Sequence, residues 1–118
     1  MAAPNTVPTL SLHVTITIAP ENVTKFLEAL KPAYDAVIAE PECTFFEVYQ
    51  SAEEPGVFKF VENWKATREW MINVQFKKDY YKPYLTITEP IYIKPREHEI
   101  YDCMPGKDWV YVSKEMAA

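Results

Sequence analysis

Four side chains in the second half of the chain could serve as a general base. They are Glu62, Tyr80, Tyr84 and His98. Glu62 alternates with Phe60 and Trp64, so it is predicted to lie on the apolar side of a strand, where burial raises the pKa of a carboxyl group. The sequence singles out none of the four. Each also has a structural interpretation: Glu62 can cap backbone or pair with Lys or Arg, and His98 lies in a polar, exposed-looking segment.

Aromatic residues that could enclose a small molecule cluster in the same part of the chain. The set is Trp64, Trp70, Phe76, Tyr80, Tyr81 and Tyr84. The three tyrosines cannot all point inward, so Tyr80 and Tyr84, four residues apart, are predicted to face the pocket. Asn73 could orient a carbonyl or phenolate oxygen. The plainer interpretation of Trp64 and Trp70 is that they fill a sheet–helix interface.

The composition argues against several classes of function. The net charge is −5 and no basic stripe offsets it, so nucleic-acid binding is not expected. The chain has 2 glycines, too few for a phosphate-cradling loop. No apolar run reaches the roughly 18 residues that a membrane helix needs, so membrane insertion is not expected either.

The cysteines and the N-terminus indicate a cellular setting. Cys43 and Cys103 lie outside any CxxC or Cys/His cluster, so a structural zinc site is not expected. The first residues lack the basic and apolar regions of a secretory signal. We therefore expect a cytoplasmic protein with reduced thiols, no metal and no cofactor.

The first half of the chain predicts a strand, a helix and two further strands. Alternation of apolar and polar residues from Leu10 to Ile18 indicates a strand. Pro20 and Glu21 open a helix with one apolar stripe, which Pro32 is expected to bend without ending it, because the stripe continues in phase. The two strands that follow are Cys43–Gln50 and Val57–Trp64, joined by a hairpin connection over 51–56.

The second half predicts one helix and a fourth strand. Thr67 is a plausible N-cap for a helix that carries Trp70 and Met71. The stretch 77–88 is expected to be broken helix or irregular, 91–101 to form the last strand, and 109–112 to add a short extension.

The resulting order, β-α-β-β-α-β, predicts an α+β, ferredoxin-like fold with helices on one face of an antiparallel sheet. Residues 1–9 would form a flexible arm, 10–104 the domain and 105–118 a C-terminal extension.

Two helices cover only one face of such a sheet. The other face would carry His13, Thr15 and Thr17 together with aromatic and aliphatic neighbours from the middle strands. A face of this kind exposes aromatic and aliphatic side chains to water, and exposed apolar patches often mark a protein–protein interface. The sequence therefore predicts a homodimer, with sheet against sheet.

Several segments together resemble the antibiotic biosynthesis monooxygenase (ABM) family. The passage 39–49 resembles the family's helix-to-strand transition, and Glu62-Asn63-Trp64 fits its E-x-W motif at the end of the third strand. Phe76, Tyr80 and Tyr81 match the aromatic cluster that follows, and 73–84 looks most like fungal members. The resemblance spans roughly residues 10–101, and it implies a dimeric α/β barrel.

The resemblance also implies a chemistry, namely cofactor-free oxidation of a phenol, anthrone or quinol by O₂. A desolvated, electron-rich anion of the substrate would react with O₂ in a dry aromatic pocket. A histidine that family members often carry after the E-x-W motif is replaced here by Asn73 or Trp70, depending on the alignment. A non-oxidative isomerase or decarboxylase, or a non-catalytic binding or stress-related dimer, are the alternatives.

Haem degradation, found in a related branch, is not expected. In the alignment with haem-degrading relatives, Tyr80 stands in place of the histidine ligand and Val14 in place of an asparagine, while Trp70 matches their tryptophan. Because Val14 aligns with a pocket residue of those relatives, it is predicted to contact the substrate in the aromatic pocket.

Overall fold

The sheet and its helices follow the predicted ferredoxin-like order. The computed structural model describes residues 7–117. The strands are β1 (Leu10–Thr17), β2 (Cys43–Gln50), β3 (Val57–Trp64) and β4 (Glu97–Asp102). The helices are α1 (Val23–Ile38), α2 (Arg68–Asn73), α3 (Tyr81–Thr88) and a short α4 (Lys114–Ala117), and short 3-10 turns lie at Pro20–Asn22, Gln75–Lys77 and Glu89–Ile91.

The four strands are antiparallel and lie in the order β2-β3-β1-β4. Placing β1 and β3 at the centre is the arrangement that β-α-β-β-α-β connectivity produces, so the predicted α+β, ferredoxin-like fold is confirmed.

One face of the sheet holds the core. Alternate residues of β1 are buried, as the period-2 pattern predicts, and they meet alternate residues of β3 on the same face. Phe26 of α1 packs against Phe58, with ring centroids 5.0 Å apart, and against Tyr84 of α3 at 6.3 Å. Helices α1 and α3 therefore lie side by side over the two central strands.

Helix α1 continues through Pro32 for its full length. The pyrrolidine ring lies on the exposed side of the helix, opposite the buried stripe of Phe26, Leu30, Ala33 and Val37. The apolar stripe thus keeps the helix in place although Pro32 cannot donate a hydrogen bond to the carbonyl of Glu28. That the helix does not end at Pro32 agrees with the prediction.

Two elements differ from their predicted bounds. Within 77–88, residues 81–88 form the regular helix α3, because Pro83 lies in its first turn, where the backbone N–H groups have no partner within the helix. Strand β4 begins at Glu97 and not near Ile91, because the preceding chain forms a 3-10 turn and Pro95 cannot donate to a neighbouring strand. Tyr92 forms only an isolated bridge with Ile18.

Gly56, just before β3, allows a close backbone approach. Its carbonyl accepts a hydrogen bond of 2.8 Å from the Ile18 N–H, and a Cβ at this position would lie 1.9 Å from the Ile18 carbonyl oxygen. Only glycine fits between the two chain segments, and this contact fastens the β2–β3 hairpin to the end of β1.

The opposite face of the sheet, which we call the open face, is covered by none of the described helices. It carries the other set of alternating residues, including His13, Val61, Phe45, Tyr49 and Tyr101. Phe45 and Tyr49 expose 40% and 45% of their surface. Of the predicted flexible arm, residues 1–6 lie outside the described residues. Among 7–117, no helix is long and apolar enough to cross a membrane.

Candidate active site

A cavity of about 200 Å³ lies between the sheet, α1 and α3. Its apolar wall comes from β1, β2, β3 and α1: Leu12, Val14, Leu30, Ala33, Tyr34, Val37, Phe46 and Phe60. Its other side is formed by Glu62, Phe76, Tyr81, Tyr84, Leu85, Arg96 and His98. Polar groups are few, which is the usual make-up of a small-molecule site.

Glu62 is the buried acid of this cavity. It lies in β3 with 6% of its surface exposed, and Trp64 Nε1 donates a hydrogen bond of 3.0 Å to its Oε1. Burial raises the pKa of Glu62 to about 7, while the Trp64 N–H and the positive charge of Arg96 oppose that rise. Within residues 7–117 its Oε2 accepts no hydrogen bond, so one carboxyl oxygen is available to a molecule in the cavity.

Two tyrosines of α3 stand on the same side of the cavity. Tyr81 and Tyr84 line it from successive turns of the helix, and burial raises the pKa of both phenols, so both stay neutral at physiological pH. The Tyr84 hydroxyl is buried and makes no well-formed hydrogen bond among residues 7–117, although the hydroxyls of Thr88 and Tyr92 lie near it. Such a group is costly unless water or a ligand binds it.

Five of the predicted site residues come together in the cavity, and four do not. Val14, Glu62, Phe76, Tyr84 and His98 all line it. Trp64 is fully buried and does not line the cavity, but its ring N–H donates a hydrogen bond to Glu62, which does. Trp70 packs on Trp64, with ring centroids 6.2 Å apart.

The remaining two predicted catalytic residues point elsewhere. Asn73, the last residue of α2, is exposed and does not line the cavity. Tyr80 is partly buried just ahead of α3, and its hydroxyl donates a hydrogen bond of 2.8 Å to Glu40. Neither side chain therefore faces the cavity.

Two polar lining residues were not predicted to face the cavity: Tyr81 was named as a pocket candidate but Tyr80 was preferred to it, and Arg96 was not named as a candidate. A helical interpretation of 81–88 would have placed Tyr81, Tyr84, Leu85 and Thr88 on one face, at spacings of three, four and seven. Arg96 lies two residues before His98, so both side chains fall on the cavity side of β4 and of the chain that leads into it. The residues next to Arg96 and His98 are also polar, so the sequence shows no alternation of apolar and polar residues there.

No group of three or more His, Cys, Asp and Glu side chains is arranged to hold a metal ion among the residues that the structure describes. Both cysteines are unpaired thiols. Burial raises the pKa of Cys43 to about 11, so this thiol stays protonated at neutral pH and is a poor nucleophile.

Comparison with known proteins agrees with this architecture. The chain is 50% identical over 109 residues to a Pestalotiopsis microspora protein named "putative monooxygenase", an alignment that covers 92% of this chain and 90% of the relative. A conserved protein from Methanosarcina mazei Go1 has a TM-score of 0.72 at 23% identity, over 81% of this chain and 93% of the other.

A solved antibiotic biosynthesis monooxygenase also superposes with a TM-score of 0.72, at 17% identity, over 81% of this chain and 99% of the other. These structural likenesses establish the shared fold. Residues 9–77 match the family model described as "antibiotic biosynthesis monooxygenase". Together with the curated relative, this match supports a monooxygenase-like function. The chain belongs to the antibiotic biosynthesis monooxygenase family.

Proposed function

We propose that this protein is a cofactor-independent monooxygenase that oxidises a small phenol or hydroquinone with O₂. The observation that carries the proposal is the buried carboxyl group of Glu62, whose pKa is raised to about 7, on the wall of an apolar cavity. A carboxyl group with a pKa near the working pH is suited to remove a phenolic proton. A dry cavity then leaves the anion weakly solvated and electron-rich.

The reaction can be written without an external reductant. Glu62 removes the phenolic proton, and the phenolate passes one electron to O₂, which gives a phenoxyl radical and superoxide. These combine through a new C–O bond at a ring carbon that carries a hydrogen atom. The O–O bond of the peroxide and the C–H bond of that carbon then break to leave a carbonyl group, and the hydrogen passes as a proton to the departing oxygen. Glu62 returns its proton to the departing oxygen. One oxygen atom ends in the product and one in water, and the substrate supplies all the electrons.

The size of the cavity supports a substrate with one ring. An apolar cavity of roughly 150 Å³ takes up benzene, so about 200 Å³ accommodates a single substituted ring. Phe76 exposes 39% of its surface, and Arg96 and His98 are exposed as well, so these residues form the mouth. A three-ring anthrone would have to extend past them.

Arg96 supports an anionic intermediate at this site. Its guanidinium group forms no salt bridge among the described residues, and its charge already lowers the pKa of Glu62 from what burial alone would give. A phenolate bound between Glu62 and the mouth of the cavity would likewise be stabilised by the positive charge of Arg96. We propose Arg96 and His98 as the polar contacts at the open side of the substrate.

We further propose that the protein is a homodimer that pairs through the open face. Phe45, Tyr49 and Tyr101 are each at least 40% exposed there. Residues 109–112, in the predicted C-terminal extension, carry four large apolar side chains that are each more than half exposed. Apolar surface of this extent is typical of an interface. A cytoplasmic location stays a prediction.

The test is O₂ consumption by the purified, chelator-treated protein with a panel of substituted hydroquinones and phenols. We expect uptake above the uncatalysed rate, a product that has gained one oxygen from ¹⁸O₂, and kcat/KM that rises with pH through about 7, because Glu62 acts as the deprotonated base. Glu62→Gln should lower kcat/KM about 100-fold or more, the usual range for removing a general base. The exposed Glu99→Gln serves as the matched control.

The alternatives give different results in the same assay. A non-oxidative isomerase or decarboxylase would use Glu62 as a base and turn over its substrate under strict anaerobiosis. A binding protein would be stabilised by the ligand and form no product. Absence of ¹⁸O in every product of the panel would reject the monooxygenase.

A further inference from the structure

A chain of hydrogen bonds runs from the cavity wall to the protein surface. Its centre is Gln75, in the turn between α2 and α3, whose surface is 0% exposed. Gln75 Nε2 donates hydrogen bonds of 2.7 Å to the hydroxyls of both Tyr80 and Tyr81. The Tyr80 hydroxyl donates to Glu40 Oε2 at 2.8 Å, and Lys78 Nζ lies 3.2 Å from the same oxygen.

The direction of these bonds follows from the number of hydrogens available. Because Tyr80 gives its single hydroxyl hydrogen to Glu40, it can only accept from Gln75, and this fixes the amide nitrogen toward both tyrosines. The reverse orientation would leave two N–H groups unpaired, whereas the observed one leaves only the Gln75 Oε1 without a partner among the described residues.

The same bonds determine what Tyr81 can do. Its oxygen accepts from Gln75, so its own hydrogen can be donated either to the neighbouring Tyr80 hydroxyl or to an oxygen in the cavity. Tyr81 and Glu62 both line the cavity, and the negative charge of Glu62 contributes to raising the pKa of Tyr81. The phenol therefore keeps its proton and is a hydrogen-bond donor, not a base.

We infer that Tyr81, and not Tyr80, is the tyrosine that contacts the substrate, by donating a hydrogen bond to its phenolate oxygen, and that Gln75, Tyr80 and Glu40 position its hydroxyl. The inference rests on the proposed function, since it takes the occupant of the cavity to be a phenol. Tyr81 is thus a catalytic residue, and Gln75 is a positioning residue anchored through Tyr80 to the partly buried carboxylate of Glu40. A donor held in advance stabilises developing negative charge without reorganising.

The test uses 4-nitrophenol, a single-ring probe whose phenolate is coloured, bound to the full chain carrying Glu62→Gln so that this carboxyl group does not titrate beside it. Absorbance titrations across pH give the Kd of the phenol and phenolate forms, and hence the pKa of the bound probe. Adding Tyr81→Phe should weaken phenolate binding about tenfold and raise the bound pKa by about one unit, with a smaller change for the neutral phenol.

Gln75→Met should act in the same direction as Tyr81→Phe. Gln75→Glu, nearly the same shape, should do so too, because a carboxylate would accept the Tyr81 hydrogen and withdraw it from the probe. Tyr101→Phe, on the open face, is the matched control and should leave the bound pKa unchanged. Thermal unfolding of each variant establishes that it is folded.

Each other outcome has a defined meaning. If Tyr80→Phe raises the bound pKa and Tyr81→Phe does not, the roles of the two tyrosines are reversed and the inference is wrong. If folded Gln75 variants bind the phenolate normally, Gln75 is only structural and the positioning chain is rejected. If the probe binds but no variant shifts its pKa, the inference fails while the proposed function stands. If 4-nitrophenol does not bind, both fail.

Discussion

If Glu62 is the base, as proposed, it makes the stability and the activity of this protein depend on pH in opposite directions. Burial raises its pKa from the ordinary 4.5 to about 7, so the folded state holds the proton more tightly than the unfolded chain does. Its contribution to stability is therefore complete below about pH 4.5 and is lost as the pH rises to about 7. The proposed base would therefore be active at the pH values at which burying the charged Glu62 carboxylate lowers the stability of the fold.

This linkage predicts the behaviour of Glu62→Gln. The variant cannot ionise, so we expect it to lose about 3 kcal/mol less free energy of unfolding than the wild type between pH 4.5 and pH 8. Urea unfolding at the two pH values measures the difference. Exposed Glu28→Gln controls for removal of a surface charge. If the wild type loses no more free energy of unfolding than Glu62→Gln between the two pH values, folding does not raise the pKa of Glu62.

Trp64 tunes the same carboxyl group through one hydrogen bond. Trp64→Phe removes the N–H that lies 3.0 Å from Glu62 Oε1, and the charged form loses its donor. We expect the midpoint of the pH–kcat/KM profile to move upward by about one unit. Trp70→Phe changes the ring beside Trp64 without touching Glu62, so its midpoint should not move. A downward shift in Trp64→Phe would contradict the assignment of Glu62 as the base.

The helices show how proline acts by position. Pro32 lies inside α1, where its missing N–H leaves the Glu28 carbonyl without its usual donor, and Pro83 lies in the first turn of α3, where no donor is needed. Pro32→Ala is therefore expected to raise the free energy of unfolding by roughly 1–3 kcal/mol. Pro83→Ala should change it by less than about 1 kcal/mol, and equal effects in urea unfolding would contradict this account.

Most of the fold follows from the sequence, because periodicity records which face of an element is buried. The alternation in β1 and the stripe of α1 predicted both elements closely. The two elements whose bounds differ from the prediction both have a proline near their start. Pro83, in the first turn of α3, made the segment look irregular, and Pro95, after the turn Glu89–Ile91, lies before β4, which begins only at Glu97. A single sequence does not show whether a proline begins, bends or ends an element, since its neighbours in space decide.

The site was less predictable, because it depends on the direction of individual side chains. Glu62 was predicted to be buried because the alternation of β3 extends to it. Tyr80 and Tyr81 differ by one position, which is about 100° around a helix, and only the true start of α3 determines which one faces the cavity. Asn73 belongs to the end of α2, where it is exposed to solvent.

At the scale of the whole molecule, the proposed dimer can be tested by one charge on the open face. Val61 lies opposite both His13 and Glu47 in the sheet register, near the middle of this face. Val61→Glu would bury an unpaired charge in a sheet-to-sheet interface, so we expect monomers in sedimentation equilibrium. Leu27→Glu, on the exposed side of α1, should remain dimeric. A wild-type protein that sediments as a monomer would reject the dimer itself.

The cavity and the open face are built from alternate residues of the same strands. Val14 and Glu62 point to one side of the sheet, while the adjacent Thr15 and Val61 point to the other. Duplicated genes could therefore change one set of codons and leave the interleaved set untouched. If the protein pairs through the open face, as proposed, two such paralogues in one cell would differ in substrate yet still recognise each other as subunits, and mixed assemblies with two different chemistries would form.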